Sequence, residues 1–204
     1  MAAAIPQQPL RSLFIASIGN PGSLRNTRHS AGHLLLDAIT PLLKPSLPPS
    51  TIYKTWQSPS LMNVSGKKLV RELESFRKAS TPPAPSPSSS TLIILHDELE
   101  KPLGKVVVKR GGPEAFSLKG HNGLKDIFKV LGKNKMWPAP APPGDALSVL
   151  RIGIGIGRPE SRSPEDVSKY VLGKMEGWEL EAIERAAPFA VDVLVKEVGL
   201  VGGA

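Results

Sequence analysis

"LFIASIGNPGSLRNTRHSAGHLLLDAIT", residues 13–40, decides the fold. Its first seven residues are a short apolar run ending in Gly19, the pattern of a buried strand. "AGHLLLDAITPLL" (31–43) then sets Leu34, Leu35, Ala38 and Leu42 at helical spacing, and Pro41 is expected to end or bend that helix. Between strand and helix stand an Asn-Pro-Gly turn, two arginines and a histidine. A plain strand-to-helix turn does not need so many polar side chains.

The same alternation continues along the chain. "TIYKTWQ" (51–57) reads as a strand with "SLMNVSG" (60–66) as its partner. "GKKLVRELESFRKA" reads as a helix with Leu69, Leu73 and Phe76 on one side. "TLIILHDEL" (91–99) and "GKVVVKR" (104–110) read as strands, and "NGLKDIFKVLG" (122–132) as a helix exposing Lys125 and Lys129. "LSVLRIGIGIG" (147–157) reads as a strand whose isoleucines share one face and whose glycines let a backbone or helix approach the other. Ser163 is placed to cap a helix that starts at Pro164, and a long terminal helix follows, with a kink expected at Pro188. Strands alternating with helices predict a single α/β domain with a largely parallel or mixed sheet. Residues 1–10 are expected to be a flexible start to a domain at 11–204. The Pro/Ser-rich stretches 80–91 and 137–145 read as low-complexity insertions that bury no core.

Composition narrows the chemistry. The 204 residues contain no cysteine, which excludes disulfides, thiolate metal sites and cysteine nucleophiles. No apolar run has the roughly 18 residues of a membrane-spanning helix, and the start lacks the pattern of a secretory signal. A cytoplasmic protein is expected; the acid-free start with Arg11 leaves a mitochondrial presequence as the alternative. The net charge is +8, unevenly spread: residues 101–135 carry nine Lys/Arg against two acids, whereas 176–204 carry six acids against two bases. A concentrated basic stretch with only 5% aromatic residues suits phosphate contact better than base stacking.

Three polar clusters follow predicted strands: Asn20 after the first, His96–Asp97 at the end of another, and "GHNG" in the loop after a third. In open α/β sheets, sites form beyond the carboxyl ends of strands. His29 is the natural general base near neutral pH. Asp97 would orient a histidine and stabilise its charged form; adjacent His96 points to the opposite face of a regular strand. Glu98 and Glu100 are expected to be exposed. Asn20, Asn63 and Asn122 are amides able to position a water or carbonyl without titrating. His29, His33 and Asp37 are spaced by four, as metal ligands on a helix would be, but Leu34 and Leu35 claim that face for the core. Neither "GNPG" nor "GIGIG" has the pattern of a phosphate loop. Arg151 and Arg158 flank the glycine strand and could touch phosphate.

Five stretches in this order, "IGNPGSLRNTRHSAG", "LMNVSG", "LHDELEKPLGKV", "GHNGLKDI" and "RIGIGIGRP…VSKYVLGKM", resemble the bacterial-type peptidyl-tRNA hydrolases. The resemblance implies an α/β fold with a mixed twisted β-sheet surrounded by helices, and hydrolysis of the ester joining a peptide to tRNA, without a metal or other cofactor, and so recycling of tRNA. By motif, it makes His29 the catalytic base, Asp97 its partner, and Asn20 and Asn122 further catalytic residues. Asn63, His121, Arg151, Lys101, Lys105 and Lys125 fall to substrate binding, with the tRNA acceptor arm and attached peptide as partner. A monomer is expected, and no membrane partner. The chain departs from the family pattern in its short, non-aromatic Asn20–His29 spacer, in Ser30 where Asn is usual, in a lengthened loop "GGPEAFSLKGHNG", and in the two Pro-rich insertions. A non-catalytic RNA-binding protein of the same fold is the alternative; it would not need His29 and Asp97.

Overall fold

The computed structural model describes residues 12–80, 90–118, 120–138 and 147–199. The expected flexible start and most of both Pro-rich insertions lie outside the described residues. Strands β1 (Ser12–Ser17), β2 (Tyr53–Gln57), β3 (Ser90–Glu98), β4 (Val106–Arg110) and β5 (Leu147–Gly155) form one sheet in the order β2-β1-β3-β5-β4. All neighbours are parallel except β4, which runs antiparallel to β5. Strands β1, β3 and β5 are buried almost throughout because both faces are covered, so they read as near-continuous apolar runs.

Side-chain alternation divides the core into two layers. Leu13, Ile15, Ile93, Leu95, Leu150, Ile152 and Ile154 face helices α1 (Ala31–Ser46) and α5 (Gly177–Gly199). Phe14, Ala16, Leu92, Ile94, Leu147 and Val149 face α2 (Gly66–Ser80) and α3 (Asn122–Lys133). The short α4 (Pro164–Val171) begins as expected: Ser163 Oγ accepts from Asp166 N, with Pro164 in the first turn.

Two expectations are corrected. Helix α1 runs through Pro41 and Pro45 instead of stopping. Its buried stripe of Leu35, Leu36, Ile39 and Leu43 holds it to the sheet. Pro41 and Asp37, whose carbonyl loses its partner, lie on the exposed side, where water replaces the lost bond. Helix α5 likewise continues through Pro188 on an exposed position. "SLMNVSG" does not pair with β2. Met62–Val64 is a 3₁₀ turn, because Asn20 Oδ1 captures the Met62 N–H at 3.0 Å, and β2 pairs with β1 instead. The glycine face of β5 is approached by the β3–β4 turn rather than by a helix: a Cβ on Gly155 would lie 1.9 Å from Pro102 O.

Candidate active site

The chain leaves β1 toward β2 on one side, while β3 continues toward β5 and β4 on the other. The crevice beyond the carboxyl ends of β1 and β3 is therefore the switch point of the sheet, where α/β folds bind ligands. Asn20 lies just past β1 and Asp97 sits next to last in β3. His29 enters on the 3₁₀ turn Arg28–Ser30, which leads into α1.

His29 Nδ1 is 3.1 Å from both oxygens of Asp97. Because the carboxylate only accepts, Nδ1 carries the proton and Nε2 is the nitrogen left to act as a base. Burial pulls the His29 pKa down, but the charge of Asp97 and its hydrogen bond outweigh that and raise it above 6.5. Asp97 is 5% exposed. Burial pushes its pKa up, yet the charges and hydrogen bonds of His29 and His121 prevail and hold it well below the carboxylate range. Asp97 therefore stays ionised, and the His29 imidazole beside it is held above its ordinary pKa.

His121 reaches the same carboxylate from the other layer. It caps α3, its Nδ1 accepting from Leu124 N at 3.3 Å, which leaves the proton on Nε2. That nitrogen lies 3.3 Å from Asp97 Oδ1, off the line of a full hydrogen bond. The route is not the expected one. Because β4 is antiparallel, its last residue, Arg110, pairs with Leu150 near the opposite end of the sheet. The chain must travel back before His121 arrives at the head of α3.

Asn20 is buried and fixed by its neighbours. Its Oδ1 accepts from Met62 N, so its NH₂ is the end left to donate. Ser30 holds the backbone there: Asn20 N donates to Ser30 Oγ at 2.9 Å, and the Ser30 hydroxyl reaches Leu24 O at 2.9 Å and Asn20 O at 3.2 Å. The serine that departs from the family pattern thus closes the shortened spacer on itself. Its position directly before a helix suggests a cap, but its side chain caps nothing in α1. Asn63, on the 3₁₀ turn beside Asn20, and Asn122, first residue of α3, are both exposed.

Two further histidines are not bases here. His96 packs edge-on against His121 with ring centres 5.1 Å apart, and its Nδ1 is 2.7 Å from Asp97 O. Burial, then the neighbouring His121, drives its pKa down to about 3. His33 is buried against Gly19, with Nδ1 2.8 Å from Ser17 Oγ; burial and then Arg25 lower its pKa to about 4. His29, His33 and Asp37 have three separate partners, since Asp37 pairs with Arg25 at 2.5 Å.

The basic residues divide. Lys101 and Lys105, in the turn after β3, and Lys125, in the first turn of α3, are exposed at the same end of the sheet as the site. Arg151 is not on that surface. It is 1% exposed, donates to Phe116 O at 3.4 Å and lies over the rings of Phe116 and Phe128. It sits on the face of β5 turned toward α3, and the lengthened loop closes over it. Arg158 pairs with Glu100. Glu98, expected to be exposed, is half-buried and pairs with Lys109 at 2.6 Å.

The family model described as Peptidyl-tRNA hydrolase matches residues 14–199. The "Probable peptidyl-tRNA hydrolase" of Schizosaccharomyces pombe is 37% identical over 175 residues, covering 84% of this chain and 75% of the relative. The peptidyl-tRNA hydrolase of Solidesulfovibrio magneticus is 31% identical, covering 89% and 84%. The crystal structure of a peptidyl-tRNA hydrolase mutant from Acinetobacter baumannii superposes with a TM-score of 0.55 at 25% identity, over 97% of this chain and 91% of that one. The ordered motifs, the sheet order and these matches over nearly the whole chain lead to one assignment: the chain belongs to the peptidyl-tRNA hydrolase family.

Proposed function

We propose that this chain hydrolyses the ester between the peptide and the 3′ end of peptidyl-tRNA, with His29 as general base. The observation that carries this reading is the imidazole whose Nδ1 is 3.1 Å from both oxygens of a buried, ionised Asp97. That bond leaves His29 Nε2 to take a proton from water. The water oxygen bonds to the ester carbonyl carbon, and the carbonyl electrons move to oxygen. The Asn20 NH₂, left to donate because its oxygen is engaged, is assigned to that oxyanion. As the oxyanion collapses, the bond to the ribose oxygen breaks and the His29 imidazolium returns its proton to that oxygen. The products are the peptide acid and tRNA with a free hydroxyl. Asp97 stabilises the imidazolium throughout and is never protonated.

Asn63 and Asn122, both exposed, would orient the ester. Lys101, Lys105 and Lys125 offer charge to the acceptor arm. Arg151 serves differently from the surface lysines: buried between two phenyl rings, it holds the loop rather than a phosphate. One chain supplies every group in the scheme, so a monomer suffices. Among the described residues no helix is long and apolar enough to cross a membrane. We place the protein in translation, in the cytoplasm, with mitochondria as the alternative. The test is turnover of an N-acylated aminoacyl-tRNA by wild type and His29→Ala. Wild type should turn over, and the variant should lose about 10²–10⁴ in rate while still binding tRNA. Equal activity in the two removes His29 from the mechanism; tRNA binding without turnover in wild type favours the non-catalytic alternative.

A further inference from the structure

The 3₁₀ turn that carries His29 is three residues long and has no side-chain cap. Such a turn does not hold its own orientation, and at three residues per turn its side chains leave about 120° apart. Each of the three is anchored in a different direction: His29 to Asp97, Ser30 to the backbone around Asn20, and Arg28 away from the site toward α5. Arg28 Nε and Nη2 donate to the two oxygens of Glu179, each at 2.8 Å, and Nη1 donates to Tyr170 O at 3.3 Å. The guanidinium lies 4.5 Å from the Tyr170 ring centre, and the Tyr170 hydroxyl donates to Ile156 O at the end of β5. Glu179 is 2% exposed, and its Oε2 also accepts from Glu176 N at 2.9 Å. The backbone repeats the tie: Arg28 N donates to Gly173 O and Met175 N to Asn26 O. Gly173 makes room for it, since a Cβ there would lie 2.7 Å from Arg28 Nη1.

We propose that the Arg28–Glu179 pair is a positioning clamp for the catalytic base, holding the His29 turn at the angle that keeps the imidazole on Asp97. The two-point fork fixes a rotation as well as a distance, which a lysine could not do. This inference rests on His29 being the base. The ring is faced by Asp97 from β3 and by His121 from the head of α3, with Arg28 beside it on its own turn and Glu179 beyond. Arg28→Lys keeps the charge and removes only the fork, so a change in His29 titration in that variant reports geometry.

The experiment measures kcat and KM for N-acylated aminoacyl-tRNA, and follows the His29 Hε1 resonance by NMR across pH, in wild type, Arg28→Lys and Glu179→Gln. The expected result is a kcat about 10- to 100-fold lower with KM within about twofold. The His29 titration should move down, toward or below 6.5, as the ring loses Asp97. A kcat and a titration matching wild type in either folded variant overturn the clamp, whatever happens to Tm. Loss of the fold in both variants also overturns it, because the pair would then hold the domain and not the turn. Full activity in His29→Ala would instead sink the proposed function, so the two failures are distinct.

Discussion

Asp97→Asn is the sharpest test of the site. The carboxylate stands 3.1 Å from His29 Nδ1, and at an effective dielectric constant of about 20 that separation corresponds to about 5 kcal/mol of attraction once the ring is charged. Part of it offsets the burial that pulls the His29 pKa down; the remainder raises the pKa above 6.5. Asparagine has almost the same shape but no charge, so two things follow. Burial is then unopposed, and the acid limb of the pH–rate profile moves from above 6.5 to below it. The sign is fixed by the role: a base works when neutral, so activity rises as pH passes through its pKa, and a lower pKa brings that rise earlier. The imidazolium formed in the transition state also loses its counter-charge, and the amide no longer guarantees the Nδ1–H tautomer. At about 1.4 kcal/mol per decade, a loss of about 3–5 kcal/mol slows the reaction about 10²- to 10⁴-fold on the high-pH plateau of each profile. The assay is single-turnover hydrolysis of N-acylated aminoacyl-tRNA from pH 5 to 9. A loss of less than tenfold with an unmoved acid limb would refute the pairing of His29 with Asp97.

Lys105→Glu should weaken tRNA binding and flatten its salt dependence by about one unit of slope per lost phosphate contact; an unchanged slope in a binding titration removes that lysine from the interface. Gly155→Ala would set a Cβ 1.9 Å from the carbonyl oxygen of Pro102, which belongs to backbone and cannot swing aside. Overpacking of this kind costs about 1–3 kcal/mol, or about 2–12 °C in Tm for a domain of this size. Gly132→Ala in exposed helix, where the nearest atom is 3.7 Å away, serves as the control and should raise Tm slightly.

The pairing of His29 with Asp97 was legible in the chain because both residues lie where an α/β sheet puts its ligands, at the ends of β1 and β3. The faces of α2 and α3 were legible too: Leu69, Leu73 and Phe76 are buried in α2, and Lys125 and Lys129 are exposed on α3, whereas the buried stripe of α1 is Leu35, Leu36, Ile39 and Leu43 and leaves Leu34, Ala38 and Leu42 half-buried. What local pattern missed was decided at long range. "SLMNVSG" has strand composition, but the bond its Met62 N–H donates to Asn20, forty-two residues earlier, bends it into a turn. Proline ends a helix in isolation, yet α1 is held on both sides of Pro41 by its buried leucines. Arg151 and Lys105 look alike as charges in a basic chain. Only strand parity, with residue 151 on the face covered by α3 and the lengthened loop, separates a buried cation from a surface one.

The antiparallel β4 explains why Asp97 has two imidazole neighbours. A strand at the same edge of the sheet but parallel to β5 would have delivered the following loop directly to the carboxyl ends. Instead β4 ends opposite Leu150, and the chain has to return toward the carboxyl ends before α3 begins. The head of α3 therefore rises beside β3 from the face opposite α1. His29 descends on the α1 side and His121 on the α3 side, so one carboxylate near the end of the central strand is bracketed from both layers. Its two partners have different freedom. The His121 Nδ1 is committed to Leu124 N, whereas His29 Nε2 has no hydrogen-bond partner among the described residues. Of the histidines around Asp97, only His29 has both an anionic partner and a free ring nitrogen, and that asymmetry follows from topology rather than from residue type.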